Sequence, residues 1–247
     1  MSHLRNFIQF AAGLAVATLL SGCALMDAFD PERPGAEDLQ RQKLLSQPAG
    51  REIPDLSASK HEELGDVYMS RGRRDMALAH YQRAAGKDPD NLGAALKHGY
   101  ALLETDQVEQ SLDVFNGVLS RQPEAAMAHA GAGMAYFRRG LDQQAKAHLR
   151  KAVALDGSLW RAHNVLGILL TRNQDPEAAL DSLGKAHGLV PDHPQVLNNL
   201  GVARMMAGDY PGAADALQQA ARAGAVGEKT YNNLGIALAR QGRFDQA

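Results

Sequence analysis

The 247-residue sequence holds one cysteine, at position 23. A single thiol excludes an intramolecular disulfide and any zinc or iron–sulfur site built from several cysteines. Aromatic residues are scarce, 6 Phe, 6 Tyr and 1 Trp, which argues against a β-sandwich, a barrel or a base-stacking platform. Neither sign of charge dominates, since 26 Lys and Arg are scattered among 28 Asp and Glu. A nucleic-acid surface would carry a basic excess on one face, so that class of partner is not expected. No apolar run reaches the roughly 18 residues needed to span a bilayer. Alanine, by contrast, is abundant, with 42 residues. It is the best helix former and the smallest side chain that still packs, so the excess predicts closely packed helices.

The lone cysteine sits at the end of a recognisable segment. Met1, His3 and Arg5 open the chain, and an apolar stretch follows from Phe7 to Leu20, broken mainly by Gln9. A basic start and a short apolar run read as an export signal. The run closes on Leu20-Ser21-Gly22-Cys23. This tetrapeptide resembles the lipobox of bacterial lipoproteins, in which the signal is cut before the cysteine and the cysteine is acylated. The resemblance implies a signal peptide over 1–22, a covalent lipid on Cys23, and, with Ala24 rather than Asp next, sorting to the periplasmic face of the outer membrane. Each buried methylene contributes about 0.8 kcal/mol and one chain alone holds weakly, so several acyl chains would be needed for a permanent anchor.

Residues 23–57 read as a tether carrying that lipid. Pro31, Pro34, Pro48 and Pro54 punctuate a polar stretch in which only Glu37 to Leu45 has a short helical pattern. A flexible chain of this length has an end-to-end distance of roughly 30 Å.

From residue 58 the sequence repeats every 34 residues. Gly65, Gly99, Gly133, Gly167, Gly201 and Gly235 mark the phase, and twelve residues after each stands a small one: Ala77, Ser111, Ala145, Ala179, Ala213 and Ala247. Four further on is a large residue, Tyr81, Phe115, Leu149, Leu183 or Leu217, followed three later by Ala84, Val118, Ala152, Ala186 and Ala220. Small residues let two helices of one period cross closely, and the large one is expected to fill the gap to the neighbouring period. Pro89, Pro123 and Pro191 end second helices, because proline lacks an N–H and disfavours helix before it; Gly157 and Ala225 take that place in the other two periods. Gly72, Gly140, Gly208 and Gly242 fall in the turns between paired helices.

Period and pattern resemble the tetratricopeptide repeat. The resemblance implies an all-α fold, a right-handed α-α superhelix of five full repeats plus a partial sixth. Their bounds are 58–91, 92–125, 126–159, 160–193, 194–227 and 228–247. The last first-helix is expected to cap the solenoid with a rather apolar outer face. Flexing is expected at the seam around Gly224, Ala225 and Gly227.

Chemistry is not visible. His61, His129 and His163 share the fourth position of their periods and read as packing residues rather than ligands. His61-Glu62-Glu63 lacks the second histidine of a zinc-protease helix, and Gly131-Ala132-Gly133 lacks the rest of a dinucleotide loop. Neither a nucleophile-elbow motif nor a phosphate-binding loop occurs, and Arg71, Arg73 and Arg74 read as a solvated corner. Neither an enzyme, a metal site, a cofactor nor a small-molecule substrate is expected.

Solenoids of this family hold peptides on the concave face formed by the first helices. By resemblance, positions two, five, six, nine, twelve and thirteen of each repeat line it. These place Leu96, Tyr100, Leu103, Met127, Met134, Phe137, Ile168, Met205 and Met206 there, with Asn164, Asn198, Asn199, Asn232 and Asn233 as a row of amides. Methionines adapt to varied apolar guests, and an amide both donates and accepts, suiting it to a guest's backbone. The family's carboxylate clamp is disfavoured, because Glu62 and Asp66 occupy its lysine and asparagine positions.

The whole layout, with the segments Asn198 to Val202 and Tyr231 to Asp245, resembles the TadD family of tight-adherence (Flp) pilus assembly lipoproteins. That implies a pilotin-like scaffold assisting a pilus secretin subunit or another pilus assembly component. Type IV pilus pilotins, the lipoprotein of β-barrel assembly and adaptors that dock a cell-wall hydrolase or protease share the architecture.

Overall fold

The computed structural model describes residues 55–224 and 227–243. The expectations for the export signal, Cys23 and the tether up to residue 54 lie outside the described residues, as does Ala225 of the seam. Among the described residues there are eleven helices and no strand. They are α1 (Ala58–Ser70), α2 (Arg74–Lys87), α3 (Leu92–Glu104), α4 (Val108–Arg121), α5 (Ala126–Arg138), α6 (Asp142–Leu155), α7 (Trp160–Arg172), α8 (Pro176–Leu189), α9 (Pro194–Met206), α10 (Tyr210–Arg222) and α11 (Glu228–Ala239). Each packs on the next, and from α3 onward every odd-numbered helix also touches the following odd one. The result is an α-α superhelix with the odd helices side by side in one layer. None of these helices is long and apolar enough to cross a membrane.

Four of the helices start where a side chain satisfies the backbone. Ser57, Asn91, Asp175 and Asp209 accept hydrogen bonds from first-turn N–H groups of α1, α3, α8 and α10, replacing partners that a helix start lacks. At the turns inside each pair, Gly72, Gly140, Gly208 and Gly242 take φ between 72° and 80°. Asp106 and Gln174 occupy the same phase and adopt φ of 61° and 59°. The hydrogen bonds Gln107 N–H to Leu102 O and Asp175 N–H to Leu170 O close these turns just as Arg73 N–H to Tyr68 O closes the first. A side chain in this left-handed conformation costs about 1–2 kcal/mol. Gln174→Gly is therefore expected to raise stability by about 1 kcal/mol after glycine's own entropy loss. A denaturation midpoint that stays put or falls would show that the turn carries no strain.

The marker glycines are places where a methyl group would not fit. A Cβ added at Gly65, Gly99, Gly133, Gly167 or Gly201 would lie 2.5, 2.7, 2.6, 2.4 or 2.6 Å from the large residue sixteen positions on, namely Tyr81, Phe115, Leu149, Leu183 or Leu217. The expectation that these large residues chiefly fill the gap to the next repeat is thus corrected. Each lies over the glycine of its own helix pair, because that glycine and the small residue twelve later bring the two backbones together. Phe115 is long enough to do both, and a Cβ at Gly131 of the following pair would come within 2.2 Å of its ring. The Gly131–Gly133 pair, no dinucleotide loop, is the socket that two helices share for Phe115 and Leu149.

Alanine fills the remaining close contacts. Ala77, Ala145, Ala179 and Ala213 are fully buried, and so is Ser111, whose hydroxyl donates to Gly99 O at 2.9 Å. On α11, Ala237 and Leu238 bury against Ala213, Ala214 and Leu217 of α10, while Tyr231 and Ile236 are about half exposed.

The phase histidines are packing residues, and two of them come as pairs. His61 on α1 meets His80 on α2 with Nδ1 atoms 3.0 Å apart, and His129 on α5 meets His148 on α6 at 3.1 Å. Both pairs hold their rings at 5.2 Å and 46°. His129 also donates Nε2–H to Pro123 O at 3.0 Å. That fixes its neutral tautomer, so its Nδ1 accepts and His148 donates. His163 has Ser182 in place of a partner ring and donates Nε2–H to Gly157 O at 3.2 Å. Among the described residues no group of three or more His, Cys, Asp or Glu is placed to hold a metal ion.

Candidate functional site

A cavity of about 700 Å³ opens along the layer of odd helices, from α1 to α7. Its walls come from Met69 on α1, Arg74 and Tyr81 on α2, Lys97, Tyr100, Leu103 and Glu104 on α3, Met127, Ala130, Met134, Phe137 and Arg138 on α5, and residues 158–162 with Val165 at the start of α7. The 34-residue phase explains why these residues converge. Equivalent positions on successive first helices point to the same side, so four periods contribute to one continuous apolar lining.

Tyr100 ties that floor together. Its hydroxyl donates to Met127 O at 2.8 Å, and its ring meets Phe115 edge-on at 5.1 Å. Burial pushes its phenol well above the ordinary tyrosine range. Met127 stands 42% exposed at the mouth, an apolar side chain that water alone does not favour. Phe137 lies under the Arg172 guanidinium at 5.2 Å.

Of the residues expected to line the groove, Tyr100, Leu103, Met127, Met134 and Phe137 come together around this cavity. Leu103 is 3% exposed and serves mainly the core. Leu96 packs partly buried against the same core cluster. Ile168, Met205 and Met206 do not line the cavity, though Met206 is 48% exposed further along the layer.

The amides behave differently from the sequence expectation. Asn199 donates Nδ2–H to Asn164 Oδ1 at 3.0 Å, Asn198 donates to Asn199 Oδ1 at 3.4 Å, and Thr230 Oγ donates to Asn198 Oδ1 at 3.1 Å. They form rungs that link α7, α9 and α11, so much of their capacity is spent inside the protein. Asn232 is exposed and Asn233 half-buried, and neither reaches the cavity.

Charged residues at the cavity were not singled out from sequence. Lys97 bridges Asp66 at 2.7 Å and Glu62 at 2.9 Å. Burial opposes its charge, but these hydrogen bonds prevail and raise its pKa. Asp66 also accepts from the Tyr81 hydroxyl at 2.7 Å. The two acids that break the carboxylate clamp therefore share one lysine from the next repeat. Arg74, read as part of a solvated corner, reaches Glu104 at 3.1 Å and lines the cavity. Arg138 donates to Leu103 O and lies 3.6 Å from Asp106. Arg161 lies over the Trp160 ring at 4.5 Å, and Trp160 in turn meets His193, the residue just before α9, at 4.5 Å. The signal was available, since Lys97, Arg138 and Arg161 occupy positions six, thirteen and two, but a search for apolar and amide groups passes over them.

Comparison with known proteins agrees with this architecture. The tetratricopeptide-repeat profile matches residues 62–119, 96–159 and 164–228, and a second profile of that description matches 229–247. The type IV pilus assembly protein PilF of Pseudomonas aeruginosa is 36% identical over 78 residues, 32% of this chain and 31% of that protein. A tetratricopeptide-repeat and J-domain co-chaperone of Fusarium oxysporum is 34% identical over 80 residues, 32% of this chain and 15% of that protein. The chain thus spans about a third or less of the length of these curated relatives. Among solved structures, Pseudomonas aeruginosa PilF superposes with a TM-score of 0.65 at 16% identity, covering 84% of this chain and 89% of that one. A thermophilic repeat protein of Thermus thermophilus gives 0.61 at 20% identity, covering 74% and 100%. At these identities the structural likeness speaks for the fold. With the profile matched over most of its length and the same helix pairs in its structure, the chain belongs to the tetratricopeptide-repeat family, a family of protein-binding scaffolds.

Proposed function

We propose that this protein is a pilotin-like outer-membrane lipoprotein of the TadD type, holding an extended segment of a pilus secretin subunit in the cavity between α1 and α7. The observation that carries the reading is the cavity, whose apolar floor of Tyr100, Met127, Met134 and Phe137 lies open on the side where odd helices meet. The 36% identity to a type IV pilus assembly protein supports the choice of partner class. In this reading Cys23 carries the lipid, residues 23–57 are the tether, and the repeats face the periplasm. The protein acts by binding, without catalysis, cofactor or small-molecule substrate.

The test is crosslinking in cells followed by recovery of the full chain and identification of what comes with it. The unaltered chain is expected to recover a secretin subunit, and Met134→Glu with Phe137→Glu to lower that recovery at least tenfold, since an unpaired charge on an apolar floor is costly. Equal recovery by both would sink the groove, and a cell-wall hydrolase or protease in place of the secretin would replace the partner. In the same cells Cys23→Ser is expected to leave the membrane fraction; a variant that stays there refutes the anchor.

A further inference from the structure

We infer that the segment held in this groove carries a carboxylate beside a bulky apolar side chain, and that Arg161 on Trp160 is the group that receives it. This deepens the proposed function and rests on its reading of the groove as a peptide site. The protein as a whole is slightly acidic, with a formal net charge of −2. The cavity wall departs from that balance, with Arg74, Lys97, Arg138 and Arg161 against Glu104.

The four cations are not equivalent. Lys97 is held between two carboxylates and Arg74 is paired with Glu104, so neither has charge to spare. Arg138 has a carbonyl and a distant, exposed Asp106. Among the described residues Arg161 has no ion-pair partner, and its guanidinium carbon lies over the Trp160 indole, 4.5 Å from the ring centroid. A cation–π contact consumes none of the guanidinium's N–H donors, which can then grip a carboxylate with two parallel hydrogen bonds. The indole is itself braced by His193, so the arginine is positioned before any guest arrives. Met127, Met134 and Phe137 supply the apolar floor at this end of the cavity, where the neighbouring bulky side chain would lie. The site is separate from the family's clamp, whose positions are filled here by Glu62 and Asp66 at the other end.

The test uses the full chain, purified in detergent, to select from a library of random peptides displayed on phage. Selected peptides are expected to pair Asp or Glu with an adjacent aromatic or large aliphatic residue. Arg161→Gln should weaken the best acidic peptide about tenfold and abolish the acid preference while keeping the apolar one. Peptides enriched in apolar residues with no acid preference, or an acid preference unchanged in Arg161→Gln, would overturn this inference and leave the groove standing. If no peptides are enriched, or if Phe137→Glu leaves the enrichment intact, the groove reading falls and this inference with it.

Discussion

Valine at Gly131 is expected to cost about 2–3 kcal/mol of stability, and leucine at Phe115 to relieve part of that clash. A Cβ at Gly131 would sit 2.2 Å from the Phe115 ring, and the ring is also pressed on Gly99, so it has nowhere to go. Overpacking of a close-packed core typically costs about 1–3 kcal/mol. Helix propensity acts the other way, favouring replacement of a mid-helix glycine by several tenths of a kcal/mol, so a net loss isolates the clash. The reasoning for rescue comes from the next repeat. There Leu149 stands where Phe115 does and Val165 where Gly131 does. Phe115→Leu alone should cost about 1 kcal/mol, as volume-conserving apolar swaps do. The double variant should be more stable than the sum of the two predicts by about 1–2 kcal/mol. Urea unfolding of the four chains measures this, and additive losses would show that Phe115 and Gly131 do not share one socket.

The histidine pairs make a second large prediction, on acid stability. Burial holds His80 down at about 4, with the His61 ring and Arg83 adding to it. Burial also lowers His61, with Arg83 and Lys87 adding to it and Asp55 opposing, and lowers His148, where His129 adds. An unfolded histidine titrates near 6.5. Between about pH 6.5 and 4 the unfolded chain therefore binds more protons than the folded one, and stability falls as pH falls through that window. Above 6.5 this contribution is complete. For His80 alone the shift corresponds to about 3 kcal/mol. The geometry gives the same sign, because a 3.0 Å contact between two Nδ1 atoms needs one of them bare. The expected result is a stability plateau above neutrality and a steep loss toward pH 4. His61→Leu with His80→Ala, the residue types at 197 and 216 in the fifth period, should flatten much of that slope. A slope unchanged by this double variant would place the acid lability elsewhere.

Much of the fold was legible because the helices cross through glycine and alanine, which recur at fixed intervals whatever surrounds them. The turns were legible for the same reason at Gly72, Gly140, Gly208 and Gly242. They were not at Asp106 and Gln174, where only the phase betrays a left-handed residue. The groove was half legible. Position within the period finds Tyr100, Met127, Met134 and Phe137, but it cannot say how far along the layer a cavity runs, so Met205 and Met206 were grouped with it. Side-chain partners across helices were hidden. Asn164 and Asn199 are 35 residues apart and His61 and His80 are 19, and only the packed helices bring each pair within hydrogen-bonding distance.

The shared socket also limits how this chain can change length. Loss of residues 126–159, one complete period, would keep the phase of every helix, yet it would set Val165 where Gly131 receives the Phe115 ring. Loss of 160–193 would set Asn199 behind Leu149, much as it now stands behind Leu183, and no aromatic ring is involved. The second and third repeats are therefore coupled through packing, while removal of a later one leaves the Phe115–Gly131 socket intact. Because Tyr100, Met127, Met134 and Phe137 all belong to those two repeats, a change in the number of later repeats would keep these four side chains of the cavity floor together.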